Sequence, residues 1–185
     1  MSAASGDQAS TRVSPDRPAP SFSELLRGCD QAAVHLEMRD AYTPGDPWFG
    51  AWQAGDREEF QRRLERPWLD LVREVTGCGV QVRRVRVVSE PVSDYVAFEH
   101  ATTASNVAAG EQVRWLPRRK AGGLLLPAND CWVFDRRLVR FAFFAGDGAL
   151  VTTELCDDPA MAGRCTAAFM AAWERAVPHE EYQLR

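Results

Sequence analysis

The chain is poor in the residues that hold metals or act as paired nucleophiles, with three histidines and five cysteines. Cys29, Cys78, Cys131, Cys156 and Cys165 stand at wide intervals with no C-x-x-C pair, a pattern that fits neither a disulfide framework nor a zinc site. Free cysteine behaves as a small apolar residue, so these thiols are expected to be buried or incidental. His35, His100 and His179 each stand apart from any serine or cysteine signature, and His179, in the polar "PHEEYQLR", is expected to be solvated. No G-x-G-x-x-G occurs, and "AGGLLLP" lacks the Gly-Lys-Ser/Thr that holds phosphate and magnesium. No cofactor and no metal are expected. No apolar run approaches the roughly 18 residues needed to cross a bilayer. "MSAASGDQASTRVSPDRPAPS" lacks the apolar centre of a secretory signal, so a cytoplasmic protein without a membrane partner is expected. A net charge of −4 and a pI of 5.4 exclude coating of nucleic acid by the whole surface. At most a weak local contact through Arg118, Arg119 and Lys120 is expected.

What is present suits a globular chain: 185 residues, 45% hydrophobic and 26% charged, enough for one domain with an unaided core. Residues 1–20 read as a disordered tail, 21–178 as the domain and 179–185 as a polar C-terminal tail. Ser21 or Ser23 caps a helix with Phe22, Leu25, Leu26 and Cys29 at helical spacing, giving way near Ala33 to "VHLEMRDAY", which alternates like a short strand but is ambiguous between the two periods. "TPGDPWFGAWQAGD", with two prolines and three glycines, reads as a loop whose aromatics fold over an apolar surface. Residues 57–77 read as one or two amphipathic helices, Pro67 opening a fresh first turn. "EQVRWLPR" is a strand and "RRKAGGLLLPAND" a basic loop. "CWVFDRRLVRFAFFAGDGALVTTEL" is a meander turning at "FDRR" and "AGDG". The closing helix has Asp157 or Asp158 as cap, Pro159 in its first turn, and Met161, Cys165, Phe169 and Trp173 at steps of four. This order predicts an α/β or α+β fold: a small mixed sheet flanked by helices, with N-terminal helices and a C-terminal helix packed on the sheet.

The most informative stretch is "VQVRRVRVVSEPVSDYVAFE", residues 80–99. Val80, Val82, Arg84, Arg86 and Val88 share one parity of a strand, whereas Gln81, Arg83, Val85, Val87 and Ser89 share the other. Arginine on both faces does not suit a sheet with one solvated side. These arginines are expected to lie at helix-covered edges or to pair with carboxylates from neighbouring elements. Pro91 ends the strand, and Ser89 or Ser93 caps a helix that turns Tyr95 and Phe98 toward the core.

"HLEMRDAY", "VRRVRVVSEPVSDYVAFE", "AGEQVR", "NDCWVFD" and "DDPAMAGRCTAAFMAAWERAVP" together resemble an uncharacterised family of actinobacterial proteins, a domain of unknown function, over about 21–178. This chain carries His35 where that family usually has arginine and Cys131 where it usually has phenylalanine. Such chains are typically encoded close to helix-turn-helix regulators, so the resemblance implies a regulatory or partner role. The element order, with "WVFD" and a final "DP…F…W" helix, is more faintly similar to one half of a phospholipase-D-like domain, including its degenerate sensor versions. That superfamily's signature is a histidine, a lysine two residues on and an aspartate five further. With Asp135 as the aspartate, Ala128 and Asp130 stand in the other two positions, so the resemblance does not imply that chemistry.

The candidate site gathers Glu37, Arg39 and Tyr42 from one segment, Arg84 and Arg86 from the central strand, and Glu90 from its end. Tyr95 and Glu99, four apart on one helix face, join them, as do Asp130 and Trp132 at the start of the hairpin. Convergence is expected at the C-terminal edge of the sheet, where open α/β sheets bind ligands. The competing reading makes Arg84–Glu37 and Arg86–Glu99 internal ion pairs and Trp48, Trp132 and Phe134 core or lid residues. The leading functional expectation is a non-catalytic regulatory partner or ligand-sensing domain working with a helix-turn-helix transcription regulator. A small ligand would sit between the sheet edge and "TPGDPWFGAW". The alternative is a small tailoring enzyme of secondary metabolism, with Glu37, Glu90 or Asp130 as acid or base and an arginine orienting a carboxylate. It requires burial to move a carboxyl toward neutrality.

Overall fold

Alternation of side chains along the strands, and short capping residues before the helices, account for most of this architecture. The computed structural model describes residues 19–42, 45–56 and 67–185. Ser21 caps α1 (Phe22–Arg27) through a reciprocal box with Glu24, satisfying amides that a first helical turn leaves bare. β1 (Ala32–Glu37) follows. In α2 (Pro47–Gln53) Asp46 accepts from Trp48 N and Pro47 opens the first turn. α3 (Pro67–Gly77), β2 (Gln81–Val88) and α4 (Asp94–Ala108), the last capped by Ser93, come next. β3 (Gln112–Pro117) runs into a 3-10 turn (Arg118–Ala121). The meander is β4 (Asp130–Phe134), β5 (Leu138–Phe144) and β6 (Leu150–Cys156). α5 (Pro159–Arg175), capped by Asp158, and the short β7 (Val177–Pro178) complete the described chain.

The strands form one seven-stranded mixed sheet in the order β6-β5-β4-β1-β2-β3-β7. β1, β2 and β3 are parallel, and the remaining pairings are antiparallel. On one face, Leu36, Val85, Val87, Leu116 and Val133 pack against Cys165, Phe169 and Ala172 of α5. The opposite face carries Ala33, Val82, Trp132 and Phe134 against Leu26, Leu71 and Val75 of α1 and α3. The mixed fold with its C-terminal helix on the sheet is thus the one predicted. The third arginine of β2 belongs to the α5 face, where Arg83 and Arg114 lie 5.5 Å and 4.3 Å from the ring centroid of Trp173.

Three expectations change. "TPGDPWFGAW" is not simply a loop, because Asp46-Pro47 is a cap followed by a first-turn proline, which outweighs the glycines around it. Residues 179–185 are not a solvated tail. Tyr182 is buried and stacks on Trp115 at 5.3 Å, His179 N–H donates to the Val113 carbonyl, and Val92 N–H donates to the carbonyl of Arg185. His179 is half-buried and accepts from Trp115 Nε1 at 3.2 Å. The basic run is not a free loop either: Arg118 reaches Asp40, Ser89 and the carbonyls of Met38 and Val87, leaving Arg119 and Lys120 exposed. The expected tail over 1–20, apart from Ala19 and Pro20, and the expected helix over 57–66 lie outside the described residues. Of the cysteines, Cys29, Cys131 and Cys165 are buried and Cys78 is exposed.

Candidate functional site

The pleat sets one row of polar side chains on the face covered by α1 to α4. His35 is the register partner of both Arg84 and Trp132, and Glu37 is the partner of Arg86. These side chains form the floor of a cavity of about 420 Å³. Tyr95, Phe98, Glu99, Thr102 and Asn106 of α4 supply one wall. Phe22 and Trp68 enclose it from α1 and α3, and Tyr42, Asp46 and Trp48 from the segment around α2.

The two arginines of the floor are compensated from three directions. Arg84 Nη1 pairs with Glu37 Oε1, and its Nε donates to Glu111 Oε1 at 2.6 Å. Arg86 Nη1 lies 2.6 Å from Glu37 Oε2 and also pairs with Glu99 Oε1. Asn106 Nδ2 donates to the second oxygen of Glu111 at 2.7 Å. Gly110 makes that arrangement possible: its φ of 103° turns the chain sharply from α4 into β3, and a Cβ there would meet Thr76 Oγ1 at 2.7 Å. Left-handed backbone of this kind favours glycine. Above the charged row, His35 stacks on Trp132 at 4.2 Å, and Arg84 lies 5.7 Å from the rings of both Trp68 and Trp132. Arg86 Nε and Trp68 Nε1 are buried without a hydrogen-bond partner among the described residues.

This environment divides the titrating groups. Burial, reinforced by Arg84 and Arg86, holds the His35 imidazole well below its ordinary value, hence neutral. Burial opposes the Arg84 charge, yet Glu111 and Glu37 outweigh it and keep the guanidinium firmly protonated. Burial pushes Glu99 up to about 7 against the pull of Arg86, with Glu37 adding to the rise. Burial likewise lifts Asp130 to about 6, although the Tyr42 hydroxyl donates to it at 2.6 Å. A carboxyl with a raised native value binds its proton more tightly folded than unfolded. Its contribution to stability is therefore full below the unfolded value and is lost as pH rises through the native one. For Glu99 the window runs from the ordinary 4.5 to about 7. The stability difference between wild type and Glu99→Gln, measured by urea denaturation, should fall across that window. A flat difference there would show that water reaches this carboxylate, and a rising one that its pairing with Arg86 outweighs burial.

Of the ten residues expected at the site, Glu37, Tyr42, Arg84, Arg86, Tyr95, Glu99 and Trp132 line the cavity, whereas Arg39, Glu90 and Asp130 do not. Arg39 bonds the carbonyl of Ala41 and lies 5.0 Å from the Phe144 ring. Glu90, beside a cis peptide to Pro91, accepts from Tyr182 at 3.2 Å. Asp130 sits behind Tyr42, accepting from its hydroxyl and from Met38 N–H. The anticipated pairs Arg84–Glu37 and Arg86–Glu99 both form, and the same four side chains line the cavity. Sequence reasoning missed Glu111 and His35 as site residues. Glu111 shares the parity of Val113 and Trp115 in "EQVRW", a signal that places it on the same face. Among the described residues no group of three or more His, Cys, Asp or Glu side chains is arranged to hold a metal ion, and no helix is long and apolar enough to cross a membrane.

No curated protein matches this chain. Among solved structures it is similar to TrmBL2, an archaeal chromatin protein described as showing a novel mode of DNA binding. The identity is 12% and the TM-score 0.47, over 83% of this chain but only 47% of that one. It is also similar to Nuc from Salmonella typhimurium, a phospholipase D family member, with 10% identity and a TM-score of 0.48 over 84% of this chain and 86% of the other. A family model described as "Domain of unknown function (DUF6879)" matches residues 20–184, and the chain belongs to that family.

Proposed function

We propose that this domain binds a small organic molecule in the cavity between β1, β2 and α4 and acts as a non-catalytic ligand-sensing partner of a helix-turn-helix transcription regulator. The observation that carries the binding half is a 420 Å³ cavity whose floor holds a buried charge row, with Arg86 Nε lacking a hydrogen-bond partner among the described residues. Concave pockets of this size, in which polar groups converge between aromatic walls, are where small molecules bind. The partner half rests on the motif resemblance to chains encoded beside such regulators. α2 contributes Trp48 to the cavity, so a ligand that favours one placement of α2 would bias the surface a partner meets.

A second reading is favoured by one observation: Glu99, at about 7, is poised to give or take a proton at neutral pH. In that reading the domain is a small tailoring enzyme with Glu99 as acid or base. An arginine clamp for a substrate carboxylate fits less well, because Arg84 and Arg86 are already matched by Glu37, Glu99 and Glu111.

The test is recovery of the tagged protein from its native host, with mass spectrometry of retained proteins and small molecules. A small molecule bound by wild type and lost from Trp132→Ala, together with a helix-turn-helix protein, is the expected result. Recovery of neither overturns the proposal. Chemical conversion of the retained molecule by wild type but not by Glu99→Gln would transfer the assignment to the enzymatic reading.

A further inference from the structure

We infer that the cavity selects a flat aromatic amine, cationic at neutral pH, over neutral or anionic molecules of the same shape; this rests on the binding reading above. The floor contains two guanidiniums, Arg84 and Arg86, with Glu37 between them, while Glu99 pairs with Arg86 from the α4 wall and Glu111 pairs with Arg84 from outside the cavity lining. His35 contributes no charge, being held neutral by burial and the two arginines. Asp46, which lines the same cavity, adds another carboxylate. The arginines therefore carry no surplus for an incoming anion. An anion would have to leave water for a partly enclosed space where, among the described residues, Glu37 and Glu111 already balance the two guanidiniums and Asp46 adds negative charge, and it would gain a guanidinium only by displacing a carboxylate already paired with it.

A cation meets the opposite situation. Glu99 is buried, lines the cavity, and its ion pair is made through Oε1 with Arg86. Asp46 keeps one oxygen on Trp48 N–H at 2.8 Å, which leaves its charge in place beside the cavity. The walls suit a flat cationic molecule. Tyr95 and Phe98 stand edge to face at 5.6 Å on α4, with Tyr42 6.2 Å from Tyr95. Aromatic faces attract cations through the ring quadrupole, most strongly where water is excluded. Arg86 Nε, buried without a hydrogen-bond partner among the described residues, offers a donor to a hydroxyl or carbonyl oxygen on the same ligand.

The experiment compares three probes that share an indole ring and differ in charge: tryptamine, tryptophol and indole-3-propionate. Dissociation constants are measured with the full chain by calorimetry. Tryptamine is expected to bind at least tenfold more tightly than indole-3-propionate, with tryptophol between them. Asp46→Asn, which retains a side-chain oxygen for the cap, and Glu99→Gln should each reduce that ratio. Circular dichroism identifies any variant that has not folded. Equal or tighter binding of the anion overturns this inference and leaves the binding reading standing. An unchanged ratio in both variants overturns the assignment to these carboxylates. Failure of all three probes to bind at millimolar concentration overturns both the inference and the assignment of this cavity as a small-molecule site.

Discussion

Glu37→Ala is expected to destabilise the fold by about 3–5 kcal/mol, the cost typical of breaking a buried ion pair by removing one partner. Glu37 bridges Arg84 and Arg86, which are 8% and 7% exposed. The substitution leaves Arg84 with Glu111 and Arg86 with Glu99, so two guanidiniums in a region of low dielectric share two carboxylates, one of which is lifted toward neutrality by burial. Glu37→Gln should cost less, since it keeps the oxygen that accepts from the guanidinium while removing the charge. A useful control is Glu74→Ala, which breaks the exposed pair with Arg27 and should change little, because water already screens both groups. Urea denaturation of the three variants separates these cases. A midpoint for Glu37→Ala within error of wild type would mean that the arginine row is hydrated and that the organised polar floor does not exist in solution.

Trp115→Ala should have a comparable effect, about 3–5 kcal/mol for truncating a large core aromatic. Trp115 is fully buried and joins two parts of the molecule. Its ring lies 5.4 Å from the Arg86 guanidinium on one side and stacks on Tyr182 with planes 6° apart on the other, while Nε1 donates to His179. Loss of the indole removes the surface against which residues 179–185 close. Hydrogen exchange at the Tyr182 amide, which bonds the Pro178 carbonyl, should then accelerate far more than exchange at the centre of β2. Trp115→Phe retains a ring for Tyr182 while losing the donor to His179 and part of the indole's volume, so its effect should be smaller. Unchanged protection of residues 179–185 in Trp115→Ala would show that the closing segment is held by its backbone bonds alone.

Much of this was readable from residue spacing because the informative signals were local. The serine and aspartate caps at Ser21, Ser93 and Asp158, the parity of β2 and the meander turns each depend on a few adjacent residues. The pairing of Arg84 with Glu37 and Arg86 with Glu99 followed from a physical demand: guanidiniums inside a valine-rich strand must find carboxylates. What composition concealed was placement. Arg39 and Glu90 flank the ends of strands whose charged middle forms the cavity, and standing two residues beyond Glu37 and four beyond Arg86 carries them past its rim. α2 was hidden because prolines and glycines are counted as breakers, although Asp-Pro at a helix start is a favourable pair. The closing segment "PHEEYQLR" reads as polar, yet one ring, Tyr182, is enough to bind it to the sheet when a buried indole waits beneath.

The carboxylates that hold the β2 arginines are drawn from β1, α4 and the residue preceding β3, and this has a consequence for synthesis on the ribosome. A nascent chain that has emerged only through Val88 carries both guanidiniums but, of their three acidic partners, only Glu37. Glu99 and Glu111 are still to come, as is β4, which must lie against the other edge of β1. The parallel centre of the sheet therefore has no charge-balanced intermediate at that length. Release of β3 and β4 from the exit tunnel is expected to set the moment at which the domain acquires resistance to proteolysis, in one step rather than strand by strand.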